Sequence, residues 1–208
     1  MSASESVDPD IELVRRWSAG DRAAGDRVIR RHFLALRKFF ILKIADVSER
    51  EDLVQETLKA LLVAVPSFEG RSSFKAFLFG IARNKLYTAL KRRYRVSGSF
   101  DPWTDSFGDV AGRSVSSVAA LRESSLRLLQ LMAELPLDEQ LLLELSYWHD
   151  MPGPEVARAL EVSHDVVRAR LVRTRRKLAE RLSGPVAGDD EAVQQALERS
   201  LRALGGEL

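Results

Sequence analysis

Wherever the apolar residues of this chain recur with a period, the period is that of a helix. Val54, Leu58, Leu61 and Val65 stand at i, i+4, i+7 and i+11, and so do Val167, Leu171, Thr174 and Leu178. That spacing gathers one stripe of a helix toward a core. No segment alternates apolar and polar residues over the roughly four to eight positions that a half-buried strand requires. The expected fold is therefore all-α. Gly and Pro cut the pattern into pieces. A short first helix carries Ile11, Leu13, Val14 and Trp17 and ends near Gly20; a long second one runs from Asp21 to Ile44. A third, from about Ser48, is stopped by Pro66, and a fourth spans Phe74 to Arg95 with Ser72 or Ser73 as its N-cap.

From Val96 to Val115 the text changes to VSGSFDPWTDSFGDVAGRSV, rich in Gly, Ser, Asp and Pro and without helical period. About 20 structureless residues inside one compact domain would be unusual, so the segment reads as a flexible linker between two small helical domains. The division is residues 1–95, linker 96–115, residues 116–183 and a tail, 184–208. In the second domain a helix from about Ser117 to Leu135 breaks at Pro136 and resumes through DEQLLLELSYWHD. A short helix (Pro154 to Leu160), a turn (Glu161 to Ser163) and a long basic helix follow, which is how a helix-turn-helix reads in sequence. In the tail, Val193, Leu197, Leu201 and Leu204 stand at helical spacing, and burial of the last three against either domain is expected.

Charge is informative only through its distribution. The chain has 32 basic and 30 acidic residues, a net of +2, yet Gly70 to Phe100 holds eight basic residues and no acid, and Val166 to Ala179 six and no acid. Two such segments in a near-neutral chain point to a polyanion. The first adds aromatic rings: on the fourth helix Arg83, Tyr87, Lys91 and Tyr94 fall opposite the apolar stripe of Phe74, Leu78, Ile81, Ala82 and Ala89. Rings beside cations suit stacked bases of single-stranded or opened DNA. On the second basic helix, His164, Asp165 and Arg168 lie where the first turns reach base edges, with Arg170, Arg173, Arg175, Arg176 and Lys177 placed for phosphates.

The third helix carries Asp52, Gln55 and Glu56 in its first turns, a polar patch that suits a docking partner. The same carboxylates have no His or third acid at ligand spacing, and His32, His149 and His164 are scattered. No catalytic residue, metal site or cofactor is expected, and the reading is that of a non-enzyme. Cysteine is absent, which excludes disulfides, thiolate metal sites and a cysteine nucleophile. Without an uncharged apolar run of about 20 residues or a leader, the expectation is a cytoplasmic chain with no membrane insertion.

The order DLVQET, PSFEGRSSFKAFLFGIARNKL, linker, ELPLDEQLLLELSYWHDMPGPEVARALEVSHDVVRARLVRTRRKL resembles the extracytoplasmic-function (group IV) sigma factors of bacterial RNA polymerase, over roughly residues 11 to 182. The tail is not covered. The resemblance implies that core RNA polymerase and promoter DNA, as duplex and as opened nontemplate strand, are partners, and that an anti-sigma factor is a further one. Asp52, Leu53, Gln55 and Glu56 match the family's polymerase-docking segment. Phe68, Arg71, Ser72 and Ser73 match the loop that pockets a flipped minus-ten base; Arg83, Asn84, Tyr87 and Lys91 match the helix face that meets the opened strand. Ser163, His164, Asp165, Arg168, Arg170, Arg173 and Arg175 match the helix that reads the minus-thirty-five duplex. The chain departs from the family at Gly25, where a core aromatic is usual, at Phe77 for Trp, at Thr88 for Asp, at Val166 for Thr and at Glu161 for the turn glycine, so that Glu161 has to accept a left-handed backbone or the turn must differ. The alternative reading is an autonomous helix-turn-helix regulator, which would leave DLVQET and the Tyr/Arg face without a use.

Overall fold

The computed structural model describes residues 8–41, 43–94, 102, 123–183 and 191–207. Every regular element among them is helical. A first unit contains α1 (Ile11–Ser18), α2 (Arg22–Ile41), α3 (Val47–Ala64) with a 3-10 turn at Val65–Ser67, and α4 (Phe74–Tyr94). A second contains α5 (Glu123–Ala133), α6 (Leu137–Tyr147), α7 (Gly153–Leu160), α8 (His164–Ser183) and the tail helix α9 (Glu191–Glu207). The linker assigned to 96–115 lies outside the described residues apart from Pro102, whose carbonyl accepts the Asp138 N–H at 2.9 Å.

Side-chain caps set the helix starts. Asp46 accepts from the Glu49 N–H at 2.8 Å to open α3, and Ser73, one of the two serines expected to cap α4, accepts at Oγ from the Ala76 N–H at 3.1 Å. Asp8 takes a second free amide of α4, that of Phe74, at 2.7 Å, and Ser163 Oγ accepts from Val166 at 3.3 Å at the start of α8. Asp21 caps α2; its bond from the Ala24 amide, reinforced by Arg16, holds its carboxyl below the usual range. The second helix ends at Ile41, earlier than Ile44. Beyond it Lys43 turns inward, its ammonium donating to the Phe39 carbonyl at 2.7 Å and pairing with Glu144 of α6.

The first core is built from Val28, Leu36, Phe39 and Phe40 of α2, Leu61 of α3, and Phe74, Phe79 and Leu86 of α4. It runs without a break into the second unit, where Leu137, Leu141 and Leu145 of α6 and Val156 and Leu160 of α7 belong to the same cluster. A separate cluster unites α5, α6 and α8 with the tail: Leu197, Leu201 and Leu204 are buried with Leu128, Leu129, Leu143 and Leu178. The expected burial of the tail leucines is thus found, against the second unit.

Packing between the units centres on α4, which has α3 on one side and α7 on another. Gly80 lies opposite the Ala159 backbone, where a Cβ would stand 3.8 Å from the carbonyl oxygen. Phe79 stacks on His149 with ring centroids 4.4 Å apart. The face of α4 expected to be open to solvent is partly covered: Phe79, Leu86 and Leu90, which adjoin Arg83 around the helix, are buried, and so is Arg83.

Candidate nucleic-acid interface

The duplex-reading candidate is the α7–turn–α8 unit. Val156, Ala157, Leu160 and Val167 close its inner side, and Glu161 turns the chain with φ 57° and ψ 41°, the left-handed conformation expected there. That leaves His164, Asp165, Val166, Arg168, Val172 and Arg173 exposed along the first half of α8. Neither Arg168 nor Arg173 has an ion-pair partner among the described residues. The His164 ring lies over Gly153, where a Cβ would come within 2.7 Å of its Nε2, so a small residue here gives the imidazole its place. Ser163 caps the helix, as above. Arg170 is half-buried. Arg175 is placed differently from the expectation: it pairs with Glu198 of α9 and reaches the Tyr147 hydroxyl at 3.3 Å. Arg176 pairs with Glu180 at 3.0 Å and Lys177 with Glu139 at 3.9 Å, so the second half of α8 is largely neutralised within the molecule.

On α4 the two central residues form one polar cluster with a carboxylate from the other unit. Arg83 Nε donates to the Tyr87 hydroxyl at 2.9 Å and to Asp138 Oδ1 at 3.3 Å, while its Nη2 donates to Oδ2 at 3.1 Å. The guanidinium also lies 4.5 Å from the Tyr87 ring centroid, and the Tyr87 O–H donates to Asp138. Glu161 adds a second carboxylate 3.5 Å from Arg83 Nη1. Burial works against the Arg83 charge, but the bond and charge of Asp138 outweigh it and hold the group above the usual arginine range. Burial pushes the Tyr87 phenol up, and the Asp138 charge adds to it, so the hydroxyl keeps its proton and remains a donor. Asn84 and Lys91 are exposed on the same helix, and the Thr88 hydroxyl donates back to the Asn84 carbonyl at 2.9 Å. The side chain of Tyr94 lies outside the described ones.

The loop before α4 is braced by aromatics. Phe68 packs on Phe77 with ring centroids 4.8 Å apart, so Phe77 has an aromatic packing role. Between this loop and α1 lies a cavity of about 310 Å³ lined by Ile11, Val14, Phe68, Glu69 and Gly70, within the range of small-ligand pockets. Gly70 has φ 71°, a conformation that suits glycine. Arg71 extends to solvent with an ion pair to Glu69 at 3.2 Å, and Ser72 is half-buried. Ser73 gives both its N–H and its hydroxyl to Glu155 of α7, each at 2.8 Å.

The docking candidate lies on α3. Asp52, Gln55 and Glu56 are exposed as expected, but Leu53 is only 4% exposed and belongs to the core, because it falls on the stripe that packs toward α2 and α4. Sequence reasoning missed Leu62 and Val63, which are 55% and 82% exposed. Asp52, Glu56, Lys59 and Val63 stand at i, i+4, i+7 and i+11, so one face runs from an acidic start to an apolar end. The signal was present in the run LLVAV, which has more apolar residues than one stripe can bury. Among the described residues there is no group of three or more acidic or His side chains that could hold a metal, and no helix long and apolar enough to cross a membrane.

The family described as Sigma-70 region 2 matches residues 28–96, and that described as Sigma-70 region 4 matches residues 125–178. The chain is 30% identical over 182 residues to RNA polymerase sigma factor NccH of Alcaligenes xylosoxydans xylosoxydans, covering 83% of this chain and 95% of that protein. It is 28% identical over 184 residues to RNA polymerase sigma factor CnrH of Cupriavidus metallidurans (83% and 93% covered). It is 25% identical over 175 residues to the ECF RNA polymerase sigma factor SigX of Bacillus subtilis (80% and 89%). A solved structure of CnrH in complex with the cytosolic domain of CnrY shares the fold, with a TM-score of 0.52 over 85% of this chain and 99% of that one at 24% identity.

Proposed function

The chain belongs to the extracytoplasmic-function (group IV) sigma factors of RNA polymerase, and we propose that its described helices divide the family's task among three surfaces. The exposed face of α3, from Asp52, Gln55 and Glu56 to Leu62 and Val63, docks on core polymerase. The first half of α8, with His164, Asp165, Arg168 and Arg173, reads the minus-thirty-five duplex. The loop from Phe68 to Ser73, with the cavity beside it, and Arg83, Asn84, Tyr87 and Lys91 of α4 hold the nontemplate strand of the minus-ten element as it opens.

The observation that carries the reading is the joint presence of a helix-turn-helix with an open basic face and, in the same chain, a separate ridge on α3 that is exposed among the described residues. An autonomous duplex-binding regulator has a use for the first and none for the second. Good base contacts are worth about 1 to 3 kcal/mol each, so a few select a promoter once polymerase holds both units in register. Nucleotide addition is left to polymerase; the chain itself binds and positions, in the cytoplasm where polymerase works. A protein antagonist is an expected partner: the relative CnrH has been solved with the cytosolic domain of CnrY. Asn84, exposed on α4, gives the cleanest test. Asn84→Ala is expected to slow promoter opening in a permanganate-footprinting assay while leaving polymerase affinity unchanged; equal loss of both would mean the face is wrongly assigned.

A further inference from the structure

Arg175 stands on the side of α8 that reads duplex. On a helix of about 3.6 residues per turn, His164, Arg168, Val172 and Arg175 fall within an arc of about 80°. The first three are exposed, whereas Arg175 pairs with Glu198 of α9, their side chains being 22% and 35% exposed. Ala179, one turn further along the same arc, is buried in the cluster that Leu197, Leu201 and Leu204 complete. The tail helix thus closes the recognition face just beyond Val172. It does so from outside residues 125–178, the stretch that matches region 4.

Holding α9 in place is a poor reason for the pair. The three leucines already fix the helix to the second core, and Arg202, one turn after Glu198, pairs with Asp150 and lies 5.4 Å from the Tyr147 ring centroid. A partly exposed ion pair adds little to that. The guanidinium is also unevenly satisfied. Its Nη1 donates to Glu198 and, at 3.3 Å, to the Tyr147 hydroxyl, while its buried Nε has no hydrogen-bond partner among the described residues. A buried N–H left unpaired is a cost to the fold. What the pair does achieve is to draw a cation off a surface that meets phosphates. We propose that Glu198 is a positioning residue for the duplex contact: it holds Arg175 away from a phosphate that the guanidinium would otherwise take, and so lowers the affinity of α8 for duplex of any sequence. This rests on the assignment of α8 to the minus-thirty-five duplex. Phosphate contacts carry no sequence information, whereas base contacts do. Withholding one phosphate contact therefore weakens binding to all duplexes alike and leaves promoter choice to His164, Asp165 and Arg168.

Glu198→Gln in the full chain keeps the length of the side chain and removes its charge. Binding to a fluorescein-labelled random-sequence duplex, followed by anisotropy over a range of salt concentrations, reads the effect. The variant should bind about threefold tighter at low salt, and the slope of log affinity against log salt should steepen by about 0.9, the change that one added phosphate contact makes. Adding Arg175→Ala should cancel both effects, because the two residues act as one pair. Glu191→Gln removes the same charge from an exposed point of α9 and should leave the slope as it is in the wild type. With core polymerase on chromosomal DNA, Glu198→Gln should give the same transcript starts as the wild type. A gain that survives Arg175→Ala, a gain that Glu191→Gln matches, or a changed set of starts overturns the proposal. So does the lack of any gain while the wild type initiates with polymerase, which leaves the promoter assignment standing. Wild type that neither binds duplex nor initiates would instead sink the assignment of α8 beneath it.

Discussion

Gly25 lies under the Trp17 indole: a Cβ there would come within 2.7 Å of the ring. The aromatic that relatives are expected to carry on α2 is supplied here by α1, folded across it. A sign reversal follows. In the wild type Gly25→Ala should cost about 1 to 3 kcal/mol in urea unfolding, because a tight site has no room to give. In a Trp17→Ala background it should stabilise by about 0.5 to 1 kcal/mol, since Ala is the better helix former. The same sign in both backgrounds would refute the contact. Glu161 is the second residue whose cost is local. A residue with a Cβ in the left-handed region is strained, and Glu161→Gly and Glu161→Gln both lose the carboxylate near Arg83. The Gly variant should therefore be the more stable of the two by about 1 kcal/mol. Both residues were visible in the sequence as departures, Glu161 together with its backbone consequence. For Gly25 only the departure could be read, since nothing local says which distant ring will fill the space.

Helix α4 shows what periodicity can and cannot give. Its apolar stripe was legible, and so was the cap at Ser73. That a second helix would cover Arg83 and half-bury Tyr87 was not, because an arginine and a tyrosine at helical spacing look alike whether they await a phosphate or a neighbouring carboxylate. Leu53 of α3 was misplaced for the opposite reason: a motif read as a block does not distinguish its outward residues from the inward one between them. The ridge that remains makes a prediction of its own. Asp52→Ala with Glu56→Ala should leave stability within about 0.5 kcal/mol of wild type, as exposed sites do. It should weaken binding to core polymerase at least tenfold by competition assay. The tail helix α9 was legible from four apolar residues, and it is structural in this molecule. Leu201→Ala, at a position with no exposure, should cost about 2 to 5 kcal/mol in chemical unfolding. A cost below 1 kcal/mol would mean that α9 does not belong to the second core.

At the scale of the whole molecule, the two basic segments that a net charge of +2 conceals have different fates. The one on α8 leaves Arg168 and Arg173 open on the first half of the helix while Arg175, Arg176 and Lys177 are paired within the protein. The one on α4 is met at its centre by Asp138 and Glu161. Two helical units and their order along the chain could be read from the break in period after Arg95. How they pack could not, since the contacts joining Lys43 to Glu144 and Arg83 to Asp138 link residues 101 and 55 positions apart. The central claim is that this chain gives core polymerase its choice of promoter. Its most direct test is to add the purified protein to core polymerase on chromosomal DNA and map the 5′ ends of the transcripts. The account predicts new starts, absent with core alone, that share one minus-ten and one minus-thirty-five sequence. A folded, polymerase-bound protein that leaves the starts as core alone makes them would contradict it.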